Sequence, residues 1–177
     1  MEKSPMLKQV ANYGLITGLI LVVYSLLTYI IGQPLNKALG YLSLLILAIC
    51  LYIFSKQYRD RINNGVLTYG QGFTVGLLTG VFAGILAAFF SVILYTYIDP
   101  GLIDKQLDMM EQQFLSKGMS EDQVETAIAM TKKWMTPTFM FIGGILSLAF
   151  WSALISLITA AVLKKNPSPF SENAANE

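Results

Sequence analysis

Residues 68–98 read TYGQGFTVGLLTGVFAGILAAFFSVILYTYI, a run without a charged side chain in which glycine recurs at four-residue spacing. The run lies within a charge-free gap of 37 residues between Arg61 and Asp99. A helix of about 20 apolar residues crosses the hydrocarbon core of a bilayer and satisfies its own backbone hydrogen bonds there. We therefore expect a transmembrane helix near residues 70–97.

Three further charge-free gaps, of 28, 18 and 30 residues, interrupt the rest of the chain. Each is long enough for one span, and they predict helices near 10–31, 35–54 and 138–163. The second gap is only just sufficient, so a buried core helix is the alternative for that segment. We expect residues 1–165 to form one all-α, polytopic domain with four transmembrane helices, followed by a disordered cytoplasmic tail at 166–177.

Composition narrows the class of protein. Of the 177 residues, 54% are hydrophobic and 13% are charged, against a charged share of about 25% in soluble domains. The chain has no histidine and a single cysteine, Cys50, which excludes imidazole-based catalysis, an internal disulfide and a cysteine-cluster zinc site. A net charge of +1 gives no reason to expect nucleic acid as a partner. We predict a protein that is not an enzyme and that carries no cofactor.

The distribution of Lys and Arg around the spans predicts the orientation, since these residues are enriched on the cytoplasmic side. Seven lie on the side of the two termini: Lys3, Lys8, Lys56, Arg59, Arg61, Lys164 and Lys165. Five lie on the opposite side, spread over a longer segment that also holds seven acidic residues: Lys37, Lys105, Lys117, Lys132 and Lys133. We expect a multi-pass protein of the bacterial cytoplasmic (inner) membrane with both termini in the cytoplasm. Lys132 and Lys133, beside the last span, favour the reverse orientation.

The polar insert at 99–136 is predicted to be an extracytoplasmic hairpin of two amphipathic helices. Apolar residues recur at helical spacing on both sides of Gly118, and Ser120 begins a capping-box pattern with Gln123. The two helices have three possible contacts: each other, the membrane surface or a partner. Three carboxylates share one side of the first helix, where a solvated face is favoured over a site for a hard cation: Asp104, Asp108 and Glu111.

Small residues at four-residue spacing predict where the spans touch, because they let helix backbones approach closely in lipid. The third span contributes Gly72, Gly76, Gly80 and Gly84; the first contributes Gly14 and Gly18; the fourth contributes Ser152, Ser156 and Ala160. Such lines serve packing inside one monomer or between monomers, and we favour the former. They carry no chemistry of their own.

The order of these features resembles the bacterial domain-of-unknown-function family 4199, small membrane proteins with four predicted helices. The resemblance rests on Thr68-Tyr69-Gly70-Gln71-Gly72-Phe73 with Gly76, Tyr97-Ile98-Asp99-Pro100, Gly118-Met119-Ser120-Glu121-Asp122-Gln123 and Met135-Thr136-Pro137. It implies the same four-helix architecture over nearly the whole chain. It brings no established activity and no catalytic residues.

Two functions fit these features. The favoured hypothesis is a non-catalytic interaction or accessory component, whose partners are the lipid bilayer and either another membrane protein or a second copy of the chain. The alternative is a small oligomeric transporter or channel for an unknown solute. Ion-coupled carriers usually hold an ionisable residue inside the membrane, and the charge-free gaps that define the four predicted spans contain no Asp, Glu, Lys or Arg.

Overall fold

The computed structural model describes residues 3–165, and the predicted tail at 166–177 lies outside the described residues. Within the described part of the chain there are six α-helices: α1 (Lys3–Ile30), α2 (Lys37–Gln57), α3 (Tyr69–Ile93), α4 (Gly101–Ser116), α5 (Glu121–Trp134) and α6 (Pro137–Leu163). Two π-helical turns prolong α2 and α3, at Tyr58–Ile62 and Leu94–Ile98 respectively.

Four of the helical segments are long and apolar enough to cross a membrane: Met6–Ile30, Lys37–Ile62, Tyr69–Ile98 and Pro137–Leu163. The shortest has 25 residues, which at a rise of about 1.5 Å per residue exceeds the roughly 30 Å hydrocarbon core. The prediction of an all-α chain with four helices suited to a bilayer is therefore confirmed.

The ends of the helices differ from the predicted spans in two ways. Helix α1 begins at Lys3 rather than near residue 10, because lysines limit the segment that enters lipid but do not interrupt a helix outside it. Helices α2 and α3 continue through their π-helical turns, in which Asn63 N donates to Tyr58 O at 3.0 Å and Asp99 N donates to Leu94 O at 2.8 Å. These bonds span five residues, a widening that no periodicity in the sequence indicates.

Side-chain caps and a glycine define several of the helix ends. Thr68 and Gln71 form a capping box in which Gln71 N donates to Thr68 Oγ1 at 3.3 Å and Thr68 N donates to Gln71 Oε1 at 3.0 Å. Ser120 N likewise donates to Gln123 Oε1 at 3.3 Å at the start of α5. Gly118, between α4 and α5, has φ +83°, a conformation that glycine adopts without strain.

Helix α3 occupies the centre of the four-helix bundle. Its contact with α6 is the most extensive between any two helices, and its contact with α1 is the next. Helix α2 touches α1, α3 and α6 less extensively. Its Leu47 and Leu51 are buried with Leu21 of α1, and its Phe54 stacks on Tyr13 of α1 with 4.6 Å between the ring centroids. Helices α4 and α5 pack mainly on each other, beyond the end of α3.

The opposite end of the bundle, called here the basic end, is formed by the start of α1, the segment between α2 and α3, and the end of α6. Leu67 and Lys165 exchange two backbone hydrogen bonds of 2.9 Å there. Arg59 Nη1 donates to the carbonyl of Leu163 at 3.4 Å, a carbonyl in the last turn of α6. These contacts tie the α2–α3 connection to α6 and fix the positions of the surrounding cations.

Candidate functional site

The four glycines of α3 form one line that faces α6. Each faces one position of α6 in antiparallel order: Gly72 meets Ala160, Gly76 meets Ser156, Gly80 meets Ser152 and Gly84 meets Leu148. Each step of four residues along α3 is matched by four residues back along α6. Residues four apart share a helix face, so the two small-residue lines run against each other for their whole length.

Glycine is required at the two central positions of this line. A Cβ atom at Gly76 would lie 2.9 Å from the Cβ of Ser156 and closer still to its Oγ. At Gly80 it would overlap both the Oγ and the Cβ of Ser152. Real Cβ atoms essentially never approach within 3.0 Å, so a larger residue at either position must push α3 and α6 apart.

The serine hydroxyls complete this contact. Ser152 and Ser156 are fully buried, and their Oγ atoms have no conventional hydrogen-bond partner among the described residues. The Oγ of Ser152 lies close to the position that a Cβ atom would take at Gly80, and the Oγ of Ser156 does so at Gly76. A Cα–H bond of each glycine therefore points at a serine oxygen. Such Cα–H···O contacts recur between closely packed helices and contribute about 0.5–1 kcal/mol each.

The glycines of α1 pack on a second face of α3. A Cβ atom at Gly14 would lie 2.9 Å from the carbonyl oxygen of Thr79, and one at Gly18 would lie 3.0 Å from the Cβ of Leu86. Gly14 also lies against Phe82, four residues before Leu86, so α1 and α3 run parallel with matched four-residue steps. Helix α3 is therefore held on two faces by backbone-close contacts.

All nine small residues that the sequence singles out lie at contacts between helices of one chain, α1 with α3 and α3 with α6. The line continues by one further step, because Gly144 of α6 lies against Ala88 of α3. A Cβ atom added at the neighbouring Gly143 would have no other atom within 4 Å, so Gly143 faces outward. Spacing alone gives no means of telling Gly144 from Gly143.

A cavity of about 230 Å³ lies between α1, α2, α3 and α6, toward the α4–α5 end of the bundle. Five hydroxyl-bearing residues line it: Tyr24, Ser25, Thr28, Ser43 and Ser91. Some of these groups are already engaged, since Tyr24 Oη donates to the carbonyl of Leu39 at 2.8 Å and Ser43 Oγ to that of Gly40 at 2.8 Å. The cavity is uncharged, has hydroxyls at membrane depth, and was not anticipated from the sequence.

The acidic residues and the cysteine that the sequence singles out lie in different parts of the structure. Within residues 3–165, no three His, Cys, Asp or Glu side chains come close enough together to hold a metal ion. The carboxylates of Asp104, Asp108 and Glu111 are exposed on α4. Cys50 is buried in α2, in a segment that packs on α1.

A family described as protein of unknown function (DUF4199) matches residues 12–165 of this chain. The match begins inside α1 and ends at Lys165, so it covers all four long helices together with α4 and α5. Comparison with curated proteins and with solved structures gives no match. The glycine–serine core and the α4–α5 insert are thus features of a chain that belongs to the DUF4199 family.

Proposed function

We propose that this chain is a non-catalytic interaction or accessory component of the bacterial cytoplasmic membrane, with α4 and α5 outside the cell membrane and both termini in the cytoplasm. The observation that carries the proposal is the position of α4 and α5, which pack mainly on each other and meet the bundle over a smaller contact, where α4 touches the Leu94–Ile98 turn and Lys37 Nζ donates to Gln113 Oε1 at 3.1 Å. Four large apolar side chains remain exposed on them: Met109, Leu115, Met130 and Trp134. Exposed apolar side chains can mark a site of contact with a protein or with the membrane surface, and we assign these four to contact with a protein.

The bundle itself supports the same proposal. Its small-residue faces are occupied inside the chain, where they hold α3 between α1 and α6. No Asp, Glu, Lys or Arg lies within any of the four charge-free gaps, so the central part of each span carries no such group for proton or ion coupling. A stable, chemically inert bundle is suited to anchoring α4 and α5 at one face of the membrane.

Site-specific photocrosslinking in cells tests the proposal. A photoreactive side chain at Met130, 62% exposed on α5, should give a crosslinked product of defined mass. The same group at Ile158, which is 68% exposed on the bundle, serves as the control and should give no such product. Absence of a specific product at Met130 and Met109 would remove the support for an interaction role.

Reporter fusions test the orientation separately. A reporter at Gly118 should be active outside the cytoplasm, and one at Asn64 should be active inside it, in agreement with the seven-to-five count of Lys and Arg. A cytoplasmic signal at Gly118 would reverse the orientation and place α4 and α5 within the cell.

A second candidate function is a small oligomeric transporter or channel, which the hydroxyl-lined cavity favours. Uncharged hydroxyls at membrane depth provide hydrogen bonds for water or a small neutral solute without the cost of a buried charge. Solute flux by pure protein in liposomes, reduced by Ser91→Leu in the cavity wall and unchanged by Ser147→Leu on the exposed face of α6, would establish this function instead.

A further inference from the structure

A groove of about 390 Å³ runs along the outer face of α2 where this helix passes into its π-helical turn at the basic end. Its lining residues lie in two rows of four-residue steps: Tyr52, Ile53, Lys56, Gln57, Asp60 and Arg61. Residues four apart share a helix face, so both rows lie along one side of α2. Tyr52 and Ile53 make the first turn of the groove apolar, and Asp60 and Arg61 make the last turn charged. The groove thus has an apolar part and a cationic part in sequence along one helix.

The cations at the charged part are available to a ligand. Arg59 holds the Asp60 carboxylate with its Nε at 2.7 Å and its Nη2 at 3.2 Å, which neutralises the one acid of the groove. Lys56 and Arg61 are exposed and take part in no ion pair within the described residues. Three further exposed cations lie at the same end of the bundle: Lys8, Lys164 and Lys165.

The apolar part of the groove faces the region that lipid occupies. Tyr52 is 40% exposed and Ile53 is 51% exposed on the outer side of a helix suited to span the bilayer. Tyrosine rings favour the membrane–water interface, which places Lys56 and Arg61 at the level of the phospholipid headgroups. A ligand seated here meets hydrocarbon along α2 and positive charge at its end.

We propose that this groove binds one anionic glycerophospholipid, with its phosphate and anionic headgroup between Lys56 and Arg61 and an acyl chain along Tyr52 and Ile53. Charge complementarity selects the anionic lipid, since a zwitterionic headgroup brings a cation toward Lys56 and Arg61. Arg61 adds directional recognition of the phosphate, because a planar guanidinium can donate two parallel hydrogen bonds to it. The bilayer supplies the lipid at high local concentration.

Native mass spectrometry of the full chain in detergent, titrated with phosphatidylglycerol or with phosphatidylcholine of identical acyl chains, tests the proposal. We expect phosphatidylglycerol to bind with an affinity about tenfold higher, in keeping with the attraction of an anionic headgroup to nearby Lys and Arg. The double substitution Lys56→Gln/Arg61→Gln should reduce the preference to less than about twofold by removing that attraction. The charge-matched control Lys105→Gln/Lys117→Gln, at exposed positions on α4 and directly after it, should leave it unchanged.

Equal binding of the two lipids by the wild type, or an equal loss of preference in the control, would overturn the proposal. Each of the single variants Lys56→Gln and Arg61→Gln should show an intermediate preference, which gives a second measurement if the double variant does not fold. Millimolar inorganic phosphate should not displace the lipid, because it lacks the acyl chain; displacement would indicate a phosphate site instead of a lipid site. The preference of the wild type should also fall as ionic strength rises, since salt screens exposed charges.

Discussion

Helices α3 and α2 are both suited to cross the same bilayer, yet they are held in the bundle by opposite kinds of side chain. Helix α3 contacts α6 through Gly72, Gly76, Gly80 and Gly84, where the two backbones approach closely. Helix α2 contacts its neighbours through large side chains that include Leu47, Leu51 and Phe54, and a Cβ atom added at its glycine, Gly40, would have no neighbouring atom within 4 Å. The cavity lies beside Gly40, where α2 leaves space.

The difference shows what holds helices together when lipid surrounds them. Lipid is as apolar as leucine, so burying a large side chain between helices gains little relative to lipid contact. Close backbone approach gains many short dispersion contacts, each worth about 0.1–0.2 kcal/mol. We therefore assign most of the bundle's packing energy to α1, α3 and α6, and we regard α2 as the helix whose position is less strongly fixed.

The largest effect is expected where a glycine of α3 is enlarged. Gly80→Leu drives a side chain into Ser152 and should destabilise the protein by about 3 kcal/mol or more, the upper part of the range for overpacking. Unfolding in a denaturing detergent measures this. Gly143→Leu is the matched control because its side chain projects into open space, and Val81→Leu on α3 is a second. Equal losses in all three variants would contradict the packing of Gly80 against Ser152.

A smaller loss is expected on α2. Leu51 is fully buried, so Leu51→Ala should cost about 2 kcal/mol, near the lower end of the range for cavity-forming substitutions. Leu45→Ala, at a site 55% exposed, should cost almost nothing and controls for helix propensity. If Leu51→Ala destabilises the protein more than Gly80→Leu does, α2 carries more of the stability than the comparison assigns to it.

A compensating pair sharpens the assignment of register. Gly76→Ala places a Cβ against Ser156, and Ser156→Gly removes the obstructing atoms. The double variant should therefore recover about 1–2 kcal/mol relative to the sum of the single effects, the coupling expected of residues in contact. Ser147→Gly, at an exposed position of α6, should give no such recovery with Gly76→Ala. If the free-energy changes of the single variants simply add in both double variants, Ser156 does not contact Gly76.

The smallest effect concerns the start of α3. Thr68→Ala removes the acceptor of the Gln71 N–H and should cost about 1 kcal/mol, the usual value of a helix N-cap. Thr136→Ala provides a matched control, since Thr136 precedes α6 without a side-chain capping hydrogen bond. Thermal unfolding followed by circular dichroism measures both. A loss at Thr136 as large as that at Thr68 would show that the capping hydrogen bond is not its cause.

Much of this fold is predictable because charge and helix ends are local properties. The charge-free gaps locate the four long helices, and the Thr68–Gln71 pattern marks where α3 begins. Periodicity also shows that the glycines of α3 share one face. It does not show which helix covers that face, because the pairing of Gly76 with Ser156 depends on how α6 returns across the bundle.

The features that sequence reasoning missed depend on the arrangement of several helices. The cavity exists because Ser25, Ser43 and Ser91, from three different helices, lie around one space. The groove on α2 depends on the π-helical turn and on the pairing of Arg59 with Asp60, which leaves Lys56 and Arg61 without partners within the described residues. Neither arrangement has a signature in the spacing of residues along one helix.

Disulfide crosslinking between α3 and α6 is the most direct test of the central claim that these helices pack within a single chain. Ala88→Cys and Gly144→Cys suit this test, because a Cβ at Gly144 would lie 3.0 Å from that of Ala88, which is about 0.5 Å below the lower end of the roughly 3.5–4.5 Å range between the Cβ atoms of a disulfide. In a Cys50→Ala background, oxidation of the double variant in membranes should consume both thiols and leave a protein of monomer mass. Covalent dimers formed by mixing chains that carry Ala88→Cys alone with chains that carry Gly144→Cys alone would contradict the claim.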